Sequence, residues 1–213
     1  MLRTALLAGA TGMVGRCCLE RLLKDTDYRQ VVVLTRRPTG LVHPRLTELQ
    51  INFDLLPDIN CPATIDDAFC ALGTTMRKAG SKEAFEQVDL RYVVSFAELA
   101  KTLGARTLVL VSSLGANAKS PGFYSRIKGQ AEDDVQNLDF EAVHVLRPSL
   151  LVGEREESRP AEKLGLVVGR ALSPLLAGPL RRARPVRAGR VADVMISAAK
   201  TPGAGSFIHY PSE

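Results

Sequence analysis

Gly9-Ala10-Thr11-Gly12-Met13-Val14-Gly15 stands between two stretches of opposite character. Before it, Thr4 to Ala8 is a short apolar run of strand length, stopped by Gly9. After it, from Gly12 to Lys24, the apolar positions Val14, Cys17, Cys18, Leu22 and Leu23 recur at helical spacing. Glycine triplets arise often by chance, but one that leaves a strand and opens a helix has a physical use. Gly9 lets the chain turn sharply, Gly12 leaves the backbone bare, and Gly15 lets the helix lie close on the strand. Unpaired N–H groups at the helix start, aided by the helix dipole, then favour an anion such as a diphosphate.

Outward from this turn, strand-like and helix-like segments alternate. Val31 to Leu34 is a β-branched run suited to a buried strand, and Leu46 to Ile51 and Ala68 to Leu72 are further strands. Leu90, Val93, Val94, Ala97 and Ala100 form the apolar stripe of a long helix. Thr107 to Val111 is a fifth strand and Ala142 to Leu146 a sixth, with a helix from Tyr124 to about Asn137 between them. The order predicts βαβ units, hence an α/β fold with a doubly wound parallel sheet. Residues 153–190, with Glu154, Glu156, Glu157, Pro160, an apolar helix from Leu164 to Leu176 and an arginine-rich run, are expected to form a small C-terminal insertion on the substrate side of one domain, 1–213. A last helix near Val191 to Ala199 precedes an edge strand at Phe207 and Ile208.

The second strand ends Leu34-Thr35-Arg36-Arg37-Pro38. A dinucleotide lacking the 2′-phosphate is usually held here by an acidic residue on its ribose. Two arginines in its place suit a phosphate dianion, so NADP(H) is favoured over NAD. The fifth strand ends in Ser112 and Ser113, and Tyr124 and Lys128 follow at the i, i+4 spacing that shares a helix face. A cation near a phenol favours proton exchange with a substrate carbonyl or alcohol while hydride moves.

Taken with LVSSLGA (110–116), YSRIKGQAE (124–132), CALGTTMRKAG (70–80), LRPSLLVG (146–153) and REESRP (155–160), the chain resembles the atypical short-chain dehydrogenase/reductases, in particular the Tat-interacting tumour-suppressor-like branch. The resemblance implies a Rossmann-type fold with Gly9, Thr11, Gly12, Met13, Val14 and Gly15 around a pyrophosphate and Arg36 and Arg37 on the 2′-phosphate. It implies Asp54, at the end of the third strand, beside the adenine, and Leu72, Gly73 and Thr74 under the adenosine half. Ser112 and Pro148 join the cofactor set, with Pro148 near the nicotinamide, and Ser113, Tyr124 and Lys128 match the catalytic trio. Two departures stand out: the fourth strand lacks the usual Asn-Ala-Gly ending, and the substrate region is short.

Composition excludes other classes. The chain has 213 residues and a formal net charge of +5, with 46% hydrophobic residues, as expected of a globular domain. Cys17, Cys18, Cys61 and Cys70 show no paired spacing, so Cys17 and Cys18 read as helix packing and the expected location is cytoplasmic. No apolar run is long enough for a membrane span, and no metal site is expected from His43, His144 and His209, which are scattered. A hydrolase is disfavoured because no GxSxG occurs. Arg181, Arg182, Arg184, Arg187 and Arg190 invite a nucleic-acid role, but 5% aromatic residues and no Trp leave few stacking platforms. A solvated or partner-facing patch fits them better, for a protein partner or a homo-oligomer. The expectation is an NADP-dependent oxidoreductase acting on an unidentified small carbonyl or alcohol. A non-catalytic NADP(H)-binding regulatory protein and an epimerase are the alternatives.

Overall fold

The computed structural model describes residues 2–59, 61, 63–152 and 184–212. Strand β1 (Arg3–Ala8) leads into helix α1 (Met13–Lys24), followed by β2 (Tyr28–Thr35) and β3 (Leu46–Gln50). A 3₁₀ turn (Phe53–Asp58) precedes β4 (Asp67–Cys70), the short helices α2 (Met76–Ala79) and α3 (Lys82–Glu86), one π-helical turn (Gln87–Arg91) and α4 (Tyr92–Thr102). Then come β5 (Thr107–Val111), α5 (Phe123–Gln136), β6 (Ala142–Leu146), β7 (Leu151–Val152), β8 (Val186–Arg187), α6 (Ala188–Lys200) and β9 (Gly205–His209).

Seven strands form a sheet in the order β3-β2-β1-β4-β5-β6-β9. Every pairing in it is parallel, in the manner of a doubly wound sheet. The direction of winding reverses between β1 and β4, so the crevice for a ligand opens beyond their carboxyl ends.

Side-chain alternation along β2 explains why both faces are covered. Val31 and Val33 point to one side with Cys18, Leu19 and Leu22 of α1 and Met195 of α6. Val32 and Leu34 point to the other, with Val93, Phe96 and Ala97 of α4 and Ala131 and Val135 of α5. Cys18 is one of these packing residues, and burial pushes its thiol well above the usual range.

Three expected boundaries move. The fourth strand ends at Cys70, leaving Leu72 in the turn beyond it. Asp54 does not end the third strand: that strand stops at Gln50, and Asp54 lies in the 3₁₀ turn that Asn52 opens by accepting a hydrogen bond from the Asp54 N–H. The expected long helix carries a π-helical turn at its start, so its apolar stripe is not one regular α-helix. Phe207 and Ile208 do lie in an edge strand, with Phe207 opposite His144.

Residues 153–183 lie outside the described residues, and with them the expected helix from Leu164 to Leu176, the REESRP block, Arg181 and Arg182. On either side of them, Leu151 pairs with Val186 and Val152 with Arg187.

Candidate functional site

The glycine turn sits at the reversal of winding. Gly9 has φ +86°, a left-handed conformation that strains any other residue. A Cβ there would also stand 2.3 Å from the Ala71 carbonyl oxygen, so the ends of β1 and β4 touch through its bare backbone. A Cβ on Gly15 would stand 2.0 Å from the Gly9 carbonyl oxygen, which explains how α1 comes down directly on the turn. Gly12 caps α1 without a side-chain hydrogen bond, and no acid occupies the first helical turn. The helix start therefore presents backbone donors and an uncompensated positive dipole end to the crevice. Gly12 and Thr11 are exposed there, Met13 is half-buried and Val14 is buried in the core.

Arg36 and Arg37 follow β2 directly, and Leu34 is in register with Ala8, so the arginines stand alongside the glycine turn. Thr35 shapes this end: its hydroxyl donates to the Arg37 carbonyl at 2.6 Å. Both arginines are exposed, and among the described residues neither guanidinium is ion-paired. Asp54, also exposed, accepts a hydrogen bond from the Tyr92 hydroxyl at 2.6 Å, and burial, followed by that carboxylate, raises the Tyr92 pKa.

Beyond β4, Leu72, Gly73 and Thr74 form an open turn anchored by a residue the sequence reading passed over. Asp89, fully buried on the π-helical turn, accepts a hydrogen bond from the Thr74 N–H at 2.8 Å. Its other oxygen lies 2.7 Å from the Lys128 ammonium, which is also buried. The signal was present: Asp89 falls four residues after Phe85 and four before Val93, both buried, so an acid interrupts an apolar helical stripe.

The carboxyl ends of β5 and β6 make the second half of the site. The Ser112 N–H donates to the Leu146 carbonyl and the Leu114 N–H to the Pro148 carbonyl, each at 2.8 Å. Ser113, Leu114, Tyr124, Pro148, Ser149 and Leu150 line a cleft of about 340 Å³. The hydroxyl oxygens of Ser112 and Ser113 are buried and have no hydrogen-bond partner among the described residues. Two unsatisfied hydroxyls beside an open cleft fit a ligand that brings its own polar atoms. Tyr124 is 40% exposed on that cleft, its ring 5.3 Å from that of the fully buried Phe85. Gly129 was also missed: a Cβ there would lie 2.0 Å from the Ala118 backbone nitrogen, so glycine lets the loop after β5 close onto α5.

The structure thus brings Ser113, Tyr124 and Pro148 to one cleft, and sets Lys128 at the turn holding Gly73 and Thr74. Arg36, Arg37 and Asp54 stand apart, toward the β2 and β3 side. Of the arginine run, Arg187 and Arg190 are exposed and Arg184 is half-buried; the Arg184 carbonyl accepts from the Ser149 hydroxyl, and the Arg190 guanidinium reaches the Ser212 carbonyl at 3.5 Å. His144, buried on β6, and His209 of the edge strand β9 are brought together, ring nitrogens 3.0 Å apart.

A parallel sheet that reverses at a glycine cradle, with hydroxyls left open beside it, defines an NAD(P)-binding, oxidoreductase-like Rossmann protein. The comparisons agree. Residues 9–202 match the family model described as NAD(P)H-binding, and the chain belongs to that family, within its atypical short-chain dehydrogenase/reductase, HTATIP2-like branch. Rat protein HTATIP2 is 36% identical over 167 residues, covering 76% of this chain and 68% of that protein. The mitochondrial protein FMP52-1 of Scheffersomyces stipitis is 35% identical over 206 residues, covering 92% and 88%. Among solved structures, MoeE5 in complex with UDP-glucuronic acid and NAD superposes with a TM-score of 0.74 at 20% identity, covering 98% of this chain and 76% of that one. Uronate dehydrogenase from Agrobacterium tumefaciens superposes with a TM-score of 0.71 at 15% identity, covering 100% and 77%.

The cytoplasmic expectation does not stand. The FMP52 relatives, at 31% to 37% identity, are named mitochondrial. Unpaired cysteines separate reducing from oxidising surroundings, but they do not separate one reducing compartment from another. Among the described residues no helix is long and apolar enough to cross a membrane.

Proposed function

We propose that this protein is an NADP(H)-dependent oxidoreductase that interconverts a small carbonyl compound and its alcohol. The observation that carries the proposal is the convergence of Ser113, Tyr124 and Pro148 on one cleft, with Lys128 a helical turn along α5 from Tyr124. The bound nicotinamide supplies or accepts the hydride.

The chain's own residues do the rest. Donors at the start of α1, around Gly9, Thr11, Gly12, Met13, Val14 and Gly15, hold the diphosphate. Arg36 and Arg37 grip the 2′-phosphate, a task for which two planar, permanently charged forks suit better than a ribose-binding acid. Asp54 borders the adenine, while Leu72, Gly73 and Thr74 flank the adenosine half and Pro148 the nicotinamide. Lys128 donates to the ribose hydroxyls, and Ser112 satisfies its hydroxyl on the same ligand. Tyr124 exchanges a proton with the substrate oxygen, which Ser113 steadies through its otherwise unpartnered hydroxyl.

Binding and turnover are tested separately. NADPH titration by nicotinamide fluorescence should show binding to the wild type and to Tyr124→Phe alike. Turnover on a panel of carbonyl substrates should fall by about 10²–10⁴-fold in that variant. Turnover that survives the substitution would remove Tyr124 from the chemistry, and none from the wild type across the panel would favour a binding protein. Arg36→Ala with Arg37→Ala should weaken NADPH far more than NADH; equal losses contradict the 2′-phosphate assignment.

A further inference from the structure

The half-buried arginines among the described residues are Arg3, Arg21, Arg45, Arg126, Arg147 and Arg184. Arg3 pairs with Asp67, Arg21 with Asp193 and Arg147 with Glu132, while Arg45 and Arg126 donate to backbone carbonyls. Arg184 is the exception. Its Nε is buried, and among the described residues its guanidinium has neither a hydrogen-bond acceptor nor an ion-pair partner. A buried guanidinium nitrogen without an acceptor gives up its hydration and gains nothing in return. An acceptor from outside the chain would account for it.

The neighbours of Arg184 say where that acceptor belongs. Its carbonyl accepts from the Ser149 hydroxyl, and two residues on, the Val186 N–H donates to the Leu150 carbonyl at 3.0 Å. The chain at 184–186 therefore runs beside 149–151, and Ser149 and Leu150 line the cleft that holds Ser113 and Tyr124. One strand spacing, about 4.8 Å, is a distance that an arginine side chain crosses. The cleft lining brings no charged side chain: it consists of Ser113, Leu114, Tyr124, Pro148, Ser149 and Leu150. Leu114 and Leu150, 36% and 58% exposed, give it apolar wall. A ligand that satisfies this end of the sheet has an oxygen for Tyr124 and Ser113, an apolar stem for the leucines and a negative charge for Arg184. The planar guanidinium fork matches the two oxygens of a carboxylate, and its one charge balances a carboxylate better than a phosphate ester carrying nearly two.

We infer that the substrate is a small oxo acid, its carboxylate held by Arg184 while its carbonyl faces Tyr124 and Ser113. This rests on the proposed function for the place of the carbonyl, and goes beyond it in naming the substrate class and a residue that selects it. In the reducing direction the carbonyl carbon gains a hydride from NADPH. As the C=O π bond breaks, the oxygen gains the Tyr124 hydroxyl proton, which solvent replaces, and the products are the hydroxy acid and NADP⁺. The carboxylate stays unchanged throughout.

The test reads binding rather than turnover. In protein saturated with NADP⁺ a ketone has no hydride to accept, so calorimetric titration reports its affinity. The probes are pyruvate, 4-oxopentanoate and 6-oxoheptanoate, each against its own uncharged amide. At least one acid should bind about 10–100-fold more tightly than its amide, as expected for a hydrogen-bonded charge. Arg184→Gln should remove that preference while amide and NADP⁺ affinities stay within about twofold. Arg184→Lys, which keeps the charge without the fork, should retain only part of it. Acids no tighter than their amides, or a preference that survives in Arg184→Gln, overturn the inference and leave the proposed function standing. Should Arg184→Gln fail to fold, an undiminished preference in Arg184→Lys overturns it equally. Tighter binding of dihydroxyacetone phosphate than of any acid overturns the carboxylate assignment. Wild-type protein that does not bind NADP⁺ overturns the proposed function, and the inference with it.

Discussion

Replacing Gly12 by alanine should separate folding from ligand binding, and replacing Gly15 should not. At Gly12 the added Cβ would meet only the Gly9 carbonyl oxygen, at 3.3 Å, so a shift of a few tenths of an ångström relieves it. The backbone there, φ −83° and ψ 168°, is one that alanine adopts freely. Losing glycine entropy from the unfolded chain gains about 0.4–1 kcal/mol, and alanine as a poorer cap costs a similar amount. Stability should therefore change by less than about 1 kcal/mol. The methyl group nonetheless occupies the approach to the first N–H groups of α1, where a phosphate oxygen must come within about 3 Å to be held. An affinity loss of about 100-fold for NADPH, close to 2.7 kcal/mol, is expected. At Gly15 the Cβ would lie 2.0 Å from the Gly9 oxygen and 2.6 Å from its carbon, both backbone atoms that the sheet holds in place. Relief requires α1 to lift from β1, and overpacking of this severity costs about 3 kcal/mol or more. Urea denaturation gives the first quantity and nicotinamide fluorescence the second. Undiminished NADPH binding by Gly12→Ala would place the diphosphate elsewhere, and wild-type stability in Gly15→Ala would refute the close contact of α1 with the turn.

The paired histidines predict a pH response. Burial, with His209 as a neighbour, pushes His144 down to about 4, so the folded protein keeps it neutral where the unfolded chain protonates it from about 6.5 downward. The unfolded state then binds more protons, and stability falls as pH drops through that window, by about 3 kcal/mol in all. His144→Phe should remove that part of the dependence, and parallel stability–pH curves for the two proteins would contradict it. At the same end of the sheet, Glu132 is buried and takes hydrogen bonds from two Arg147 nitrogens: Nε, 3.1 Å from each carboxylate oxygen, and a terminal nitrogen at 2.5 Å. Glu132→Ala strands a largely buried guanidinium and should cost about 3–5 kcal/mol by urea denaturation, with Glu132→Gln recovering part of it. Equal losses in the two variants would show that charge, rather than hydrogen bonding, carries the contact.

The glycine turn was readable because backbone builds it. A turn in which Gly9 must take φ +86° and Gly15 must leave a gap admits no other residue, so the geometry imprints directly on the sequence. The parallel sheet followed from the same economy: a β-branched run such as Val31–Val33, buried on both faces, is at home in the middle of one. What escaped was set by partners distant in the chain. Asp89 lies 39 residues from Lys128 and acquires its meaning only when α5 is laid against the π-helical turn. The resemblance put Asp54 at the end of the third strand, but Asn52 captures the Asp54 N–H and turns the chain first. His144 met His209 through the parallel register of β6 and β9, which no local pattern encodes.

This contrast bears on how the two halves of the site specify their ligands. On the proposed function the diphosphate is met by peptide groups, whose positions follow from the fold and vary little with side chains. The substrate cleft is met by Ser113, Leu114, Tyr124, Pro148, Ser149 and Leu150, of which only Pro148 has a fixed backbone angle. Leu114 and Leu150 expose apolar surface beside the Tyr124 hydroxyl, so changing them alters the cleft without touching the glycine turn, Asp89 or Lys128. The Asp89–Lys128 pair, by contrast, ties the turn after β4 to α5 through side chains.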